Sequence, residues 1–170
     1  TVSNYEKQLI LNDFTIDEDK ITVIPNGVDL SEFDKLETIP RKSKTILYVG
    51  RLEEYKGVQH LIQTLPLLDK DFHLEIVGKG PYKANLVTLI NKLELNNRVQ
   101  FHQDLSRQEL LKMYAKAGIF VLLSQREAFS IVVAEALAAK TPCIVANTST
   151  LSEWIDNQNC FGIDYPINNV

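Results

Sequence analysis

Two glutamates, Glu127 and Glu135, stand with seven residues between them in the stretch "REAFSIVVAEALAAKTP" (126–142). Glu127 comes just before the apolar run "FSIVVA", whereas Glu135 lies inside a nearly all-apolar helical pattern. An unpaired carboxylate buried in such a helix is costly, so Glu135 is expected to serve a polar partner. Two cations, Arg51 and Lys56, fall together in "GRLEEYKG" (50–57). A guanidinium fork and a compact ammonium suit phosphate oxygens, and they stabilise a phosphate that gains charge as a bond to it breaks. Carboxylates suit hydroxyl groups, such as the diol of a ribose.

These four residues share one place only if the elements around them deliver them there. From about residue 44, strand and helix patterns alternate: strands at 44–50, 72–78, 98–102, 118–124, 142–146 and 161–164, with helices at 57–65, 82–95, 106–117, 131–139 and near 151–156. Pro66 is expected to bend or end the first of these helices. "SRQE" (106–109) reads as a capping box, with Ser106 as the cap and Glu109 at the third helical position. "GIFVLLS" (118–124) is continuously apolar, as in a strand buried on both faces. Six strands alternating with helices predict an α/β fold, a doubly wound parallel β-sheet of Rossmann-like type in the order 3-2-1-4-5-6. In that order the sheet reverses direction between strands 1 and 4, and ligands bind beyond their carboxyl ends. Strand 1 runs into the loop with Arg51 and Lys56. Strand 4 runs into the loop with Glu127 and Ser130 and the helix with Glu135. Ser130 and the first backbone N–H groups of that helix add an anion site. A crevice of both signs fits a ligand with an anionic part and a hydroxyl-rich part, as in a nucleotide-sugar.

The first 43 residues break this rhythm. "SNYEKQLILNDF" reads as a capped helix, "KITVIPNGVD" as a strand running into a turn at Asn26 and Gly27, and 30–44, with Pro40, as a linker. Residues 1–43 are therefore expected to be the tail of another domain and its linker, and 44–170 a nucleotide-sugar-binding domain. "DYPINNV" stops without a closing helix, so both ends are expected to be cut from a larger protein.

Composition excludes several classes. The chain of 170 residues is 45% hydrophobic and 24% charged, the balance of a soluble globular domain. A net charge of −4 argues against nucleic acid as a partner. The longest apolar runs are too short to span a bilayer. Cys143 and Cys160 are too few for a disulfide framework and read as two reduced thiols of a cytoplasmic protein.

The motifs resemble the retaining glycosyltransferases of the two-Rossmann-domain (GT-B) architecture, in the group 1, family 4-like branch with a Glu-x7-Glu motif. "VIPNGVD" (23–29), "YVGRLEEYKG" (48–57), "IVGKGPY" (76–82), 98–146 and "LSEWI" (151–155) fall in that family's order and cover most of the chain. The resemblance implies that this is the C-terminal, donor-binding domain. Arg51 and Lys56 would contact the diphosphate, Glu127 the donor sugar's hydroxyls, and Glu135 the ribose. Loop amides from Phe129 through Ser130 to Ile131 would add phosphate contacts. The resemblance further implies transfer to an acceptor hydroxyl with retention, by front-face attack, with no metal and no cofactor. The acceptor, whether glycan, lipid or protein, would bind a missing N-terminal domain, and the whole protein would be cytoplasmic or peripheral at the cytoplasmic membrane face. The chain departs from the family in having Glu127-Ala128-Phe129-Ser130 where Gly residues are usual, and "NTSTLSE" (147–153) where the family is often Gly-rich. A non-catalytic nucleotide-binding module and a glycan phosphorylase with pyridoxal phosphate are the alternatives.

Other motifs carry less. "GKGPYK" (78–83) lacks the third Gly of a dinucleotide fingerprint and follows the wrong strand; Gly78 and Gly80 are expected to let a loop approach the donor. "DKD" (69–71) reads as a solvated turn, and His60, His73 and His102 have no metal-ligand spacing.

Overall fold

A computed structural model describes residues 1–36 and 38–167. One six-stranded sheet runs in the order β3-β2-β1-β4-β5-β6. Its strands are β1 (Lys42–Val49), β2 (His73–Val77), β3 (Val99–His102), β4 (Ala117–Leu122), β5 (Cys143–Asn147) and β6 (Cys160–Asp164). Every neighbouring pair is parallel. The helices are α1 (Asn4–Asp13), α2 (Val58–Thr64), α3 (Lys83–Lys92), α4 (Arg107–Lys116) and α5 (Ile131–Ala138). Right-handed crossovers put α2 and α3 on one face of the sheet and α5 on the other. The predicted α/β class and strand order are both found.

The central strands are the apolar ones, and for a physical reason. β1 ends on Ile46-Leu47-Tyr48-Val49, and β4 on Phe120-Val121-Leu122, all buried in succession. A strand covered by helices on both faces has no polar side to alternate towards. The capping box forms at α4, where Ser106 N–H donates to Glu109 Oε2 at 2.8 Å and Glu109 N–H to Ser106 Oγ at 3.3 Å. α2 stops at Thr64, and a 3-10 turn (Leu65–Leu67) carrying Pro66 follows. The helix expected near 151–156 is a 3-10 helix, Ser149–Trp154.

The early segment departs from expectation in part. α1 is present, capped by Ser3, but residues 21–29 form neither the expected strand nor a turn. Thr1 alone exchanges backbone bonds with Thr22 and Ile24, at 3.1 and 2.8 Å, and no strand among the described residues pairs with the segment, so β-propensity alone does not make one. The stretch expected as a linker packs onto the sheet domain. Phe33 is buried in the core, and β1 already begins at Lys42. Arg41 donates to Thr141 Oγ1 and to the carbonyls of Ala117, Ala139 and Lys140 at 2.7–3.2 Å. A guanidinium there satisfies the carbonyls left open at the end of α5. The break-off expected over 164–170 lies in part outside the described residues, as does residue 37 of the expected linker.

Candidate functional site

The crevice beyond β1 and β4 is built by two loops pressed together. The β1 loop ends in a 3-10 turn, Glu54–Lys56, closed by Gly57 with φ 74°. A Cβ on Gly57 would lie 2.4 Å from Leu123 O, so only glycine lets this turn touch the end of β4. Gln125 N–H then donates to Tyr55 O at 2.8 Å. With the loops fixed, Lys56 Nζ reaches Glu127 Oε1 at 2.6 Å, and both side chains are only 13% and 12% exposed. A pocket of about 400 Å³ opens there, lined by Tyr55, Lys56, Arg126, Glu127 and Ala128. A neutralised Lys–Glu pair beside an exposed guanidinium can receive an anion and a hydroxyl side by side. Lys56 and Glu127 are thus brought together as the sequence suggested.

The other candidates are placed differently. Arg51 is 75% exposed and bonded to Glu53 at 2.8 Å, not to Glu127. Gly78 and Gly80 pack against the β1 loop, where a Cβ would lie 1.9 Å from Gly50 O and 2.3 Å from Leu52 O. Their missing side chains let two loops meet, with Leu52 N–H donating to Lys79 O at 3.0 Å.

Ser130 opens α5 in the left-handed conformation, φ 71° and ψ 66°, without capping it. Its Oγ and that of Ser124, at the end of β4, are buried without hydrogen-bond partners among the described residues. Buried hydroxyls without partners are costly, and that of Ser130 adjoins the open N–H groups of a helix start. Phe129 and Ile131 flank Ser130 in the same turn, and Ile131 is exposed.

Glu135 is buried, and its carboxylate has partners that the sequence did not reveal. Arg107 Nη1 donates to Oε1, and Tyr114 Oη donates to Oε2 at 2.9 Å. Arg107 also holds Glu32 Oε2, at 2.7 Å. The hydrogen bond to Glu32, reinforced by Glu135, pushes the Arg107 guanidinium further up from its ordinary range. Burial pushes the Tyr114 hydroxyl well up, with the nearby Glu135 charge adding to it, so it stays a neutral donor. A cation on the first turn of a helix opposes the helix dipole, and that was the available signal for Arg107. Tyr114 lies seven residues on, on the same helical face. Each carboxylate oxygen has one protein donor, which leaves acceptor capacity for a diol.

The remaining features stay outside the crevice. A larger hollow of about 500 Å³ lies under the opposite end of the sheet, between the Leu30–Leu36 segment and the ends of α4 and α5, and its Arg41 is already spent on carbonyls. Asp69 and Asp71 pair with Lys44 at 3.8 and 2.9 Å, as a solvated turn does. His102 Nε2 meets Glu75 Oε2 at 2.5 Å. Cys143 and Cys160 are buried free thiols in register on β5 and β6. Among the described residues, no group of three or more His, Cys, Asp or Glu is placed to hold a metal ion. No helix among them is long and apolar enough to cross a membrane.

Residues 31–165 match the family described as "Glycosyl transferases group 1". An uncharacterized glycosyltransferase of Methanocaldococcus jannaschii is 33% identical over 172 residues, covering 93% of this chain and 44% of that protein. The chain therefore spans less than half of that relative's length. Among solved structures, a glycosyltransferase from Rickettsia africae superposes with a TM-score of 0.85 at 30% identity, over 99% of this chain and 49% of that one. HepE of Anabaena, solved in complex with UDP and glucose, superposes with a TM-score of 0.83 at 21% identity, over 96% of this chain and 48% of its own.

Proposed function

The chain belongs to the group 1 glycosyl transferases, and on that premise we propose that its crevice binds a nucleoside-diphosphate sugar donor. The observation that carries this reading is the juxtaposition at the β1/β4 switch point. There Glu127 of the largely buried Lys56–Glu127 pair stands on the same β4–α5 loop that leads to the partnerless Ser130 hydroxyl at the start of α5. Lys56 and the amides from Phe129 to Ile131 receive the diphosphate. Arg51, free of packing on its exposed side, swings from Glu53 to join them. Glu127 accepts from hydroxyls of the donor sugar, and Glu135 accepts from the ribose diol through the lone pairs that Arg107 and Tyr114 leave open. Gly78 and Gly80 hold the neighbouring loop close beneath. The UDP and glucose bound by the Anabaena neighbour support this ligand class.

In the whole protein the sugar passes to an acceptor hydroxyl with retention of configuration. Leaving-group charge is stabilised by these cations and amides, without a metal or a cofactor. The acceptor, a glycan, lipid or protein, is held by a second domain outside this chain. The whole enzyme works in the cytoplasm or at the cytoplasmic face of a membrane. Without the second domain, this chain binds donor but transfers nothing, because positioning and exclusion of water are missing.

The test is calorimetry of this chain with UDP, GDP, ADP and the matching nucleosides. Arg51→Ala should weaken the diphosphate roughly tenfold or more, consistent with losing a charge-assisted bond of about 1.5–3 kcal/mol, and leave the nucleoside unaffected. Equal losses for nucleoside and diphosphate would reject the assignment, and so would failure of all three diphosphates to bind the wild type.

A further inference from the structure

The loop between β4 and α5 is held from behind by side chains of the 3-10 helix Ser149–Trp154. Thr150 Oγ1 donates across Glu127 O at 2.9 Å and Ala128 O at 3.0 Å. Trp154 Nε1 donates to Phe129 O at 2.8 Å. Ser149 Oγ accepts from Glu127 N–H at 3.1 Å. Three successive carbonyls therefore point back towards one element.

A trans peptide sends its C=O and the following N–H in opposite directions. With the carbonyls of Glu127, Ala128 and Phe129 turned to the 3-10 helix, the N–H groups of Ala128, Phe129 and Ser130 are turned away from it. Those three amides have no partner among the described residues. They run directly into the open start of α5, where the first amide bonded back into the helix is Val133 N–H, to Ser130 O at 3.0 Å. Ser130, a non-glycine residue at φ 71°, needs surrounding structure to keep it there, because that region is sparsely populated without a specific hold. The Trp154 bond to the preceding carbonyl and the edge-on packing of the Phe129 and Trp154 rings, 5.2 Å apart, supply one. Thr150 is itself anchored: its Oγ1 lies 3.2 Å from Ser3 Oγ.

We infer that Thr150 and Trp154 are positioning residues that set the peptide planes of 127–130, so that the amides of Ala128, Phe129 and Ser130 form a row of donors for the diphosphate of the donor. The inference rests on the donor-binding reading above and adds residues to it. It gives a job to the hydroxyls of "NTSTLSE": they make the backbone bonds that hold a loop built of Ala128 and Ser130. Neither Thr150 nor Trp154 touches the ligand. Their effect is to keep donors aimed before the ligand arrives, so that little reorganisation is needed on binding.

Thr150→Val keeps the shape and removes the donor, Trp154→Phe keeps a ring and removes the indole N–H, and Thr150→Ser keeps the donor. Each variant and the Thr150→Val/Trp154→Phe double variant is titrated with UDP, GDP and ADP, then with uridine, guanosine and adenosine. Thermal unfolding records which variants are folded. The double variant should bind the preferred diphosphate at least tenfold more weakly and its nucleoside within about twofold of wild type, while Thr150→Ser stays within about threefold for both. If the double variant does not fold, the Val and Ser variants at 150 carry the comparison. In parallel, inorganic pyrophosphate is titrated into ¹⁵N-labelled chain. Amide signals of Ala128, Phe129 and Ser130 should move in the wild type and stay still in the Val variant. Equal losses for nucleoside and diphosphate, or an unchanged diphosphate affinity and pyrophosphate response in the variants, would overturn the inference. If no nucleotide binds the wild type but pyrophosphate moves those three amides only while Thr150 is present, the positioning role stands and the nucleotide reading alone falls. If neither binds, both fall.

Discussion

Breaking the Lys56–Glu127 pair should cost stability as well as function, and by an amount the structure bounds. The pair is short, 2.6 Å, and its side chains are 13% and 12% exposed. Removing one partner of a fully buried pair costs about 3–5 kcal/mol, because the other charge is left desolvated. The residual exposure and the open pocket beside the pair let water reach the orphan, which lowers the expectation for Lys56→Met to about 2–3 kcal/mol. In a domain of this size that corresponds to a Tm lowered by about 4–12 °C. Glu127→Gln keeps an acceptor for the ammonium and should cost less, about 1–2 kcal/mol. The double variant Lys56→Met/Glu127→Gln buries no unpaired charge, so its loss should fall short of the sum by about 1–2 kcal/mol. Urea unfolding followed by the fluorescence of Trp154, the single tryptophan, reads all four corners of the cycle. The coupling should persist at 0.5 M salt, since a mostly buried pair is poorly screened. Additive losses, within about 0.5 kcal/mol, would refute the claim that these two residues meet.

Tyr114→Phe removes the donor to Glu135 Oε2 and should destabilise the chain by about 1.5–3 kcal/mol, the range for hydrogen bonds to charged groups, measured by the same unfolding assay; a loss under about 0.5 kcal/mol would contradict that bond. Asp156 accepts from the backbone N–H groups of Cys160, Gln158 and Asn159, which hold its carboxyl well below the usual range. A depressed folded value stabilises the fold above the unfolded value and loses that contribution as pH falls, so the Tm gap between wild type and Asp156→Ala should be constant from about pH 8 to 5 and narrow below about pH 4. A gap that widens on acidification would show the sign to be wrong.

Much of the fold was legible because its signals are local. Continuous apolar runs such as Ile46–Val49 and Phe120–Leu122 mark strands covered on both faces, and Ser106 with Glu109 marks a helix start within four residues. Alternation of such units, with right-handed crossovers, leaves few topologies, and the strand order follows. That order is also what predicted one crevice for Lys56 and Glu127, 71 residues apart. The segment 21–29 misled because β-propensity is a preference for a neighbour, and among the described residues no strand pairs with it. The expected linker packs through Phe33 and Arg41, and the hydrogen bonds of Arg41 to Ala117 and Thr141 span 76 and 100 residues. No window of sequence contains such pairs.

The amino-acid sequence by itself determined the six strands of the sheet, their order and which chemical groups stand at the ends of β1 and β4. Only the tertiary structure decided what those groups touch. Glu135 was recognisable as a carboxylate needing a partner, but Arg107 and Tyr114 come from another helix, 28 and 21 residues away. Arg51 was recognisable as a cation beside the crevice, but its pairing with Glu53 depends on the path of an exposed loop. The direction of the peptides at 127–130 depends on Thr150 and Trp154, which no periodicity in that loop could reveal. Local patterns record which backbone state each residue prefers and which face it buries. Side-chain partners from distant segments are chosen only when the sheet brings those segments within hydrogen-bond reach.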